Sequence, residues 1–194
     1  LHPQRTGRDH LRVLAAAHGR GEPDFAAREP VTADLSGNAE GLGRELFAAF
    51  RAQHPDHIAL TYINCSAAVK ALSDIIVTSS SAEKIISQIP PEQKIIFGPD
   101  KHLGGYINRK MGRDMLLWDG TCIVHEAFSE TELLKLKALH PDAPVAAHPE
   151  CPAYILDHAH MIGSTSAILK FALESPASTI IAIVIDANTH SPIG

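Results

Sequence analysis

The chain of 194 residues aligns with itself without a gap when it is shifted by 86 residues, the separation of Tyr62 and His148. Identical residues then recur in the same order along two segments. A repeat of this length predicts two copies of one structural unit. The identities include the two His-Pro-Asp turns that begin at His54 and His140, and the pairs Cys65/Cys151, Ile76/Ile162, Ser80/Ser166, Lys84/Lys170, Ile95/Ile181 and Asp100/Asp186.

The order of predicted elements indicates the fold class. Helices are predicted over 44–53, 67–73, 103–111, 130–139 and 153–160, and strands over 58–63, 94–97, 115–118, 144–148 and 180–185. Strands that alternate with helices form parallel sheets covered by helices on both faces. We therefore predict an α/β protein made of three-layer αβα units with parallel sheets, related by the internal repeat, of which the second is incomplete.

The N-terminal residues differ from the rest of the chain. Seven of the nine arginines lie at or before Arg51, while all eight lysines lie at or after Lys70. Residues 11–18 are apolar enough to predict a helix of two turns, and the rest of residues 1–42 is predicted to be loop or disordered. A solvated basic tail and a segment foreign to the following domain both explain this asymmetry. The predicted division is thus 1–42 unassigned, 43–126 one unit and 127–194 a second, incomplete unit.

Composition excludes several classes of function. The formal net charge is −5, which does not favour a broad basic surface for nucleic acid. The apolar runs are too short to span a bilayer, and the N-terminus lacks the order of a signal peptide. The three cysteines form no C-x-x-C motif and are an odd number for a disulfide framework. We therefore expect a protein of the cytoplasm, without nucleic-acid or membrane partners.

Polar residues follow the first predicted strand of each repeat. Tyr62 and Asn64 come at the end of one strand, and His148 and Glu150 at the end of the other. Ligands of parallel α/β sheets bind beyond the carboxyl ends of strands, where His and Glu can act as general acid and base. A purely structural role for each side chain is the alternative.

A run of hydroxyl residues precedes a predicted helix in each repeat, at 78–81 and at 164–166. Helix N-termini present free N–H groups, and hydroxyl side chains add donors, so these runs suit a carboxylate or a phosphate. Ser79 and Thr165 are the candidate binding residues. Ordinary N-capping is the alternative.

Cys122 lies in a Gly-Thr-Cys-Ile-Val-His-Glu segment, whose small residues suggest a loop that turns the sulfur towards a cavity. A buried cysteine that acts as a small apolar side chain is the alternative. A zinc site on an unrelated αβα enzyme would need three or four converging ligands, which Cys122 and the nearby histidine do not supply alone. The glycine-containing segment 98–105 lacks the spacing of a phosphate-binding loop and is rejected as one.

Taken together, these motifs resemble the quinolinate synthase family of bacteria. The resemblance covers about residues 51–172. The matching segments are Tyr62-Ile63-Asn64-Cys65-Ser66-Ala67-Ala68-Val69-Lys70-Ala71, Val77-Thr78-Ser79-Ser80, Ile96-Phe97-Gly98-Pro99-Asp100-Lys101-His102-Leu103-Gly104, Gly120-Thr121-Cys122-Ile123-Val124-His125-Glu126, His148-Pro149-Glu150-Cys151-Pro152 and Ile162-Gly163-Ser164-Thr165-Ser166.

The resemblance implies three homologous αβα domains around a pseudo-threefold axis, of which this chain holds the middle domain and most of the third. It implies an enzyme of NAD biosynthesis that condenses iminoaspartate, supplied by L-aspartate oxidase, with dihydroxyacetone phosphate to give quinolinate. A [4Fe-4S] cluster acts there as a Lewis acid. By motif, Cys122 is the cluster ligand, Tyr62, His148 and Glu150 are catalytic, and the substrate-binding residues are Tyr62, Asn64, Ser79, His148, Glu150 and Thr165.

The sequence departs from the family at the other two cluster positions. The 86-residue shift places the first ligand at Ser36 and the third beyond Gly194, while Cys65 and Cys151 fall at strand ends. We therefore expect that this chain alone does not hold the cluster stably and is inactive by itself. The alternative is a non-catalytic remnant that folds and binds a dicarboxylate without a cluster.

Overall fold

The computed structural model describes residues 12–15, 40–120 and 128–184, with only the backbone described for 12–15 and 40–42. Its elements follow the alternation predicted from the sequence. In chain order they are β1 (Arg12–Ala15), α1 (Glu40–Ala52), β2 (Ile58–Tyr62), α2 (Ala67–Lys70), β3 (Ile75–Val77), α3 (Ala82–Ile86), β4 (Ile95–Phe97), α4 (Lys101–Met111), β5 (Leu116–Leu117), α5 (Glu130–Leu139), β6 (Val145–Ala147), α6 (Ala153–Leu156), β7 (Met161–Ile162), α7 (Thr165–Glu174) and β8 (Thr179–Ile183).

The strands form two four-stranded sheets, ordered β3-β2-β4-β5 and β1-β8-β6-β7. Every strand pair in both sheets is parallel. The predicted α/β class with parallel sheets is thus confirmed. Within the part of the chain that the structure describes, no helix is long and apolar enough to cross a membrane.

The described residues fall into two units. One contains residues 40–120 together with the short segment 149–153, and the other contains 12–15, 128–148 and 154–184. The predicted boundaries at 42 and 126 stay a prediction, as does the internal repeat. One strand register departs from the repeat. Ala59 pairs with Ile96, and an 86-residue shift would pair Val145 with Ala182, but Val145 pairs with Ile181.

The unit of residues 40–120 has an apolar core on each face of its sheet. Leu60, Ile86, Phe97 and Ile107 pack on one face. On the other, Phe47 of α1 packs with Ala59, Val69 and Ile96, and the Trp118 ring contacts Phe47 edge-to-face. Because both faces of β2 and β4 are buried, these strands are almost continuously apolar, as in other covered parallel sheets.

A salt bridge joins α1 to the sheet of the same unit. The Arg51 guanidinium donates to both carboxylate oxygens of Asp74 at 2.7 Å, and it also donates to the Leu72 carbonyl. Asp74 accepts a further hydrogen bond from the backbone N–H of Ala59 at 2.8 Å. The bidentate geometry and the extra backbone donor make this contact more stabilising than an ordinary surface ion pair.

Two glycines allow the end of β4 to pack closely on Trp118, and α4 to pack closely on β4 and β5. A Cβ on Gly98 would lie 2.2 Å from the Trp118 Cβ, and one on Gly104 would lie 2.6 Å from Leu117 and 2.8 Å from Phe97. Helix α4 ends at Gly112, whose φ of 63° is the left-handed conformation favoured for glycine at a helix C-terminus.

The other unit is built on β8 and β6 at the centre of its sheet. Ala146, Ile168, Ala172 and Ile180 form its buried cluster. The predicted His-Pro-Asp turns are present in both units, closed by hydrogen bonds from the His57 N–H to the His54 carbonyl at 3.1 Å and from the Ala143 N–H to the His140 carbonyl at 3.0 Å.

The predicted helix over 11–18 is wrong, because residues 12–15 form strand β1. The strand pairs in parallel with β8, from Arg12 opposite Thr179 to Ala15 opposite Ala182. A helix of two turns is marginal by itself, since nucleation is costly. Pairing with the edge of β8 instead gives these backbone groups hydrogen-bond partners.

Candidate functional site

Tyr62 is the last residue of β2 and is 6% exposed. Its position is fixed from both sides of the strand. Its N–H donates to the Pro99 carbonyl at 3.1 Å, and the N–H of the next residue, Ile63, donates to the Val77 carbonyl at 2.9 Å. The end of β2 is therefore bonded to the end of β3 and to the segment that follows β4.

The Tyr62 phenol is hydrogen-bonded to Ser79 and to Glu150. Burial chiefly raises the pKa of Tyr62, and the nearby charge of Glu150 adds to that effect. The bond between the two side chains raises the pKa of Tyr62 and lowers that of Glu150, so the phenol is the donor. The bond from Ser79 lowers the pKa of Tyr62, so Ser79 donates to the phenolic oxygen. The three side chains form a relay from Ser79 through Tyr62 to Glu150.

Thr78 and Ser81 cap the turn before α3 reciprocally, since the Thr78 Oγ1 accepts from the Ser81 N–H at 3.2 Å. Ser81 occupies the N-cap position of α3 but makes no capping hydrogen bond with its side chain. Its Oγ accepts instead from the Thr78 N–H at 2.9 Å and contacts the Thr78 Oγ1 at 2.9 Å. Thr78 and Ser81 thereby close a local turn, and Ser79 points its hydroxyl to Tyr62.

The run at 164–166 behaves differently. Ser164 is the N-cap of α7 and accepts from the Ala167 N–H at 3.4 Å, so ordinary capping accounts for this residue. Thr165 is the first residue of α7 and is exposed. Asn64, two residues beyond the end of β2, is also exposed.

Glu150 is only 3% exposed and belongs to the same unit as Tyr62. Burial raises the pKa of its carboxyl group to about 8, helped by the charge of Asp100. Glu150 therefore carries a proton over most of the neutral range. A neutral carboxyl group in this position can donate a proton to a ligand, which a carboxylate cannot do.

Asp100 also belongs to this cluster, but it was not among the candidate site residues predicted from the sequence. It is the N-cap of α4 and accepts from the N–H groups of His102 at 2.6 Å and Leu103 at 3.1 Å. The signal was an aspartate three residues before the predicted helix 103–111, in a segment rejected as a phosphate loop. The role of N-cap explains why an aspartate occupies this position. The charge of Asp100 also raises the pKa of Glu150 and of Tyr62.

His148 follows β6 directly, in the other unit. Its N–H donates to the Ile183 carbonyl at 2.9 Å, which extends the pairing of β6 with β8. The side chain is buried, and burial lowers the pKa of its imidazole to about 4. His148 is therefore neutral at pH 7 and can accept a proton or donate a neutral N–H.

The structure thus brings Tyr62, Ser79 and Glu150 into hydrogen-bond contact within one unit. His148 and Thr165 lie in the other unit. The convergence of all six candidate substrate-binding residues on one cleft stays a prediction.

Neither described cysteine stands at a cluster position that the family resemblance implies. Burial raises the pKa of the Cys65 thiol to about 11. The Cys151 side chain is fully buried. Among the described residues, no group of three or more His, Cys, Asp or Glu is arranged to hold a metal ion. Cys122, together with His125 and Glu126, lies outside the described residues.

Comparison with known proteins gives a consistent match. Residues 38–191 match the family described as NadA, Quinolinate synthetase A protein. The quinolinate synthase of Synechococcus sp. is 55% identical over 152 residues, which are 78% of this chain and 48% of the relative. That of Thermosynechococcus vestitus is 50% identical over 184 residues, 92% of this chain and 58% of the relative. That of Chloroherpeton thalassium is 53% identical over 152 residues, 78% of this chain and 47% of the relative.

The chain spans about half the length of these relatives. The family match nevertheless covers most of the chain, including both sheets apart from β1, and contains the relay from Ser79 to Glu150. On these grounds the chain belongs to the quinolinate synthetase A family.

Proposed function

We propose that this chain supplies part of the substrate site of a quinolinate synthase, an enzyme of NAD biosynthesis that condenses iminoaspartate with dihydroxyacetone phosphate. The observation that carries the proposal is the relay from the half-buried Ser79 through the buried Tyr62 to the buried Glu150. All three residues stand in motifs of the family, at the carboxyl ends of parallel strands, where ligands of such sheets bind.

The chemistry of the condensation needs proton donors. Balancing its atoms shows that quinolinate formation releases phosphate and two molecules of water. Each departing hydroxyl oxygen leaves more readily when a side chain protonates it. In our proposal Glu150, neutral at pH 7, donates such a proton, and the hydrogen bond from the Tyr62 hydroxyl stabilises the carboxylate that this leaves on Glu150. Neutral His148 acts catalytically by donating an N–H hydrogen bond that polarises the substrate, as an imidazole of low pKa can do.

The remaining candidates bind the substrate in this proposal. The hydroxyl groups of Ser79 and Thr165 and the amide of Asn64 donate hydrogen bonds to substrate carboxylates or phosphate. Such donors suit dianionic ligands because charge-assisted hydrogen bonds are stronger than neutral ones. The source of iminoaspartate is L-aspartate oxidase, and the proposed location of the reaction is the cytoplasm.

The [4Fe-4S] cluster of the family acts as a Lewis acid, and Cys122 is its proposed ligand in this chain. Since Cys65 and Cys151 do not occupy the ligand positions that the family resemblance implies, we propose that the chain alone does not hold the cluster and does not complete the condensation. The test is anaerobic reconstitution with iron and sulfide, compared with the Cys122→Ala variant. A stoichiometric cluster in the unaltered chain contradicts this part of the proposal, and its survival in the variant also removes Cys122 as ligand.

A non-catalytic protein that binds a dicarboxylate without a cluster is the second candidate function. The relay favours it, because dicarboxylate binding by these residues does not require the cluster. The two candidates share the binding step and differ in turnover. An anaerobic assay for quinolinate formation, with iron and sulfide present, therefore distinguishes them.

Binding is tested by calorimetric titration of the chain with quinolinate, a pyridine dicarboxylate. We expect Tyr62→Phe to weaken binding about five- to tenfold, the usual effect of one lost hydrogen bond. The matched control is Tyr106→Phe on α4, which removes a phenol outside the relay. Equal affinities of Tyr62→Phe and the unaltered chain, or no binding at all, would rule out the proposed site.

A further inference from the structure

Four successive hydroxyl residues, 78–81, lie between β3 and α3, and Ser79 is one of them. The first and the last are bonded to each other twice. The Thr78 N–H donates to the Ser81 Oγ at 2.9 Å, and the Ser81 N–H donates to the Thr78 Oγ1 at 3.2 Å. The two side-chain oxygens are also 2.9 Å apart. This arrangement is a reciprocal cap, with a serine in the place where glutamate or glutamine is usual.

The backbone on both sides of Ser79 is fixed as well. The Thr78 carbonyl accepts a further hydrogen bond from the Ser81 N–H at 3.1 Å. Directly before Thr78, Val77 pairs with Tyr62 in the parallel register of β3 and β2. Ser79 is thus two residues beyond the strand partner of Tyr62, inside a turn that is closed by both backbone and side-chain hydrogen bonds.

The hydroxyl of Ser79 is directed differently from those of the capping pair. It donates to the Tyr62 phenol, whereas the Thr78 and Ser81 hydroxyls are bonded within the turn. A serine side chain has three staggered rotamers, so the position of its backbone decides which groups its hydroxyl can reach. A turn that holds the Ser79 backbone in one place therefore limits the directions open to this hydroxyl.

We propose that Thr78 and Ser81 are positioning residues of the site, whose reciprocal hydrogen bonds direct the Ser79 hydroxyl to Tyr62. This inference deepens the proposed function and rests on it for the role of Ser79 and Tyr62 towards a substrate. A cap that only stabilises helix α3 would lower the stability of the chain when it is removed, without any specific change at the Tyr62 phenol. The state of that phenol therefore separates the two roles.

The first experiment needs no ligand. The chain is labelled with ¹³Cζ-tyrosine, which marks its three tyrosines, and the Tyr62 signal is assigned by its loss in Tyr62→Phe. Ser79→Ala gives the position of this signal without the hydroxyl donor, since the shift of a phenol carbon depends on the hydrogen bonds of its oxygen. Thr78→Val keeps the shape of the side chain without its hydroxyl, and Ser81→Ala removes the other one. We expect both to move the Tyr62 signal to the position seen in Ser79→Ala.

Two further variants are the controls. Thr78→Ser keeps the capping hydroxyl, and Ser87→Ala removes a hydroxyl that bonds to the backbone at the other end of α3. Both should leave the Tyr62 signal where it is in the unaltered chain. Circular dichroism identifies the folded variants, and the two positions give independent tests. An unchanged Tyr62 signal in a folded Thr78→Val or Ser81→Ala variant would overturn the proposal, as would an unchanged signal in Ser79→Ala.

Calorimetry with quinolinate tests the same link in the presence of a ligand. Thr78→Val should weaken binding by up to about tenfold, the usual effect of one lost hydrogen bond. The same change made in the Ser79→Ala background should weaken binding no further, because residues that act through one contact are not additive. An equal loss in both backgrounds contradicts the proposal. No quinolinate binding at all, together with the expected shifts at Tyr62, would reject the proposed function and leave the positioning of Ser79 intact.

Discussion

Replacing Glu150 with glutamine should change how the stability of the chain depends on pH. Glutamine has nearly the same shape but no charge, so it should fit the buried position. The folded-state pKa of Glu150 is about 8, above the ordinary value of 4.5, so the folded protein binds more protons than the unfolded chain between these values. The stabilisation is complete below pH 4.5 and is lost as the pH rises towards 8.

The expected slope is about 1.4 kcal/mol of unfolding free energy per pH unit. Between pH 6.5 and 7.5 the unaltered chain should thus lose about 1.4 kcal/mol relative to Glu150→Gln. His148, whose pKa is lowered from 6.5 to about 4, contributes equally to both proteins and cancels in this comparison.

The assay is urea unfolding at several pH values, followed by circular dichroism. The control is Glu92→Gln, a change of the same type at an exposed position in the same unit. Parallel stability profiles for the unaltered chain and Glu150→Gln would show that Glu150 titrates alike in folded and unfolded states. The reasoning about the buried acid would then be wrong.

The remaining predictions concern stability. His148→Asn should remove a loss of stability that the unaltered chain shows as the pH falls from 6.5 to 4, since the low pKa of His148 means that the folded state resists its protonation; the same urea assay checks it, and an unchanged acid limb would contradict it. Gly98→Ala should destabilise the chain by at least about 2 kcal/mol, because the new Cβ would lie 2.2 Å from Trp118; Gly105→Ala, where the nearest atoms are 3.8 Å away, is the control, and equal melting temperatures would refute the packing argument. Asp74→Ala should cost about 1–3 kcal/mol in denaturant unfolding, since it leaves Arg51 and the Ala59 N–H without this partner; Asp56→Ala, at an exposed pair with Lys94, should cost less than about 1 kcal/mol, and equal costs would contradict the prediction.

Much of the fold could be predicted from local patterns. The strands that begin at Ile58 and Ile95 are apolar runs between turn residues, and helix α5 begins at Glu130 and ends at Leu139 as predicted. Strand β1 could not be predicted, because its conformation depends on pairing with Thr179–Ile183, far along the chain. The apolar residues near Val13 predicted a helix because only their local pattern was considered.

The candidate site was predictable to a smaller extent. Tyr62, Ser79 and Glu150 stand in recognisable motifs, and the structure joins them by hydrogen bonds. Asp100 was missed because its local role as an N-cap explains the residue type fully, and only tertiary structure shows its approach to Glu150. The position of a charge relative to a distant carboxyl group is not contained in any local pattern.

The membership of residues 149–153 in the unit of residues 40–120 has a consequence for dissecting the protein. A gene split anywhere between codons 120 and 128 would give two pieces, each with most of one sheet, and would appear to respect the architecture. Glu150 would then be expressed on a different polypeptide from Tyr62 and Ser79. Chimaeras and split versions of this protein must therefore keep residues 149–153 together with residues 40–120, because the two segments belong to one unit although they are separated along the chain.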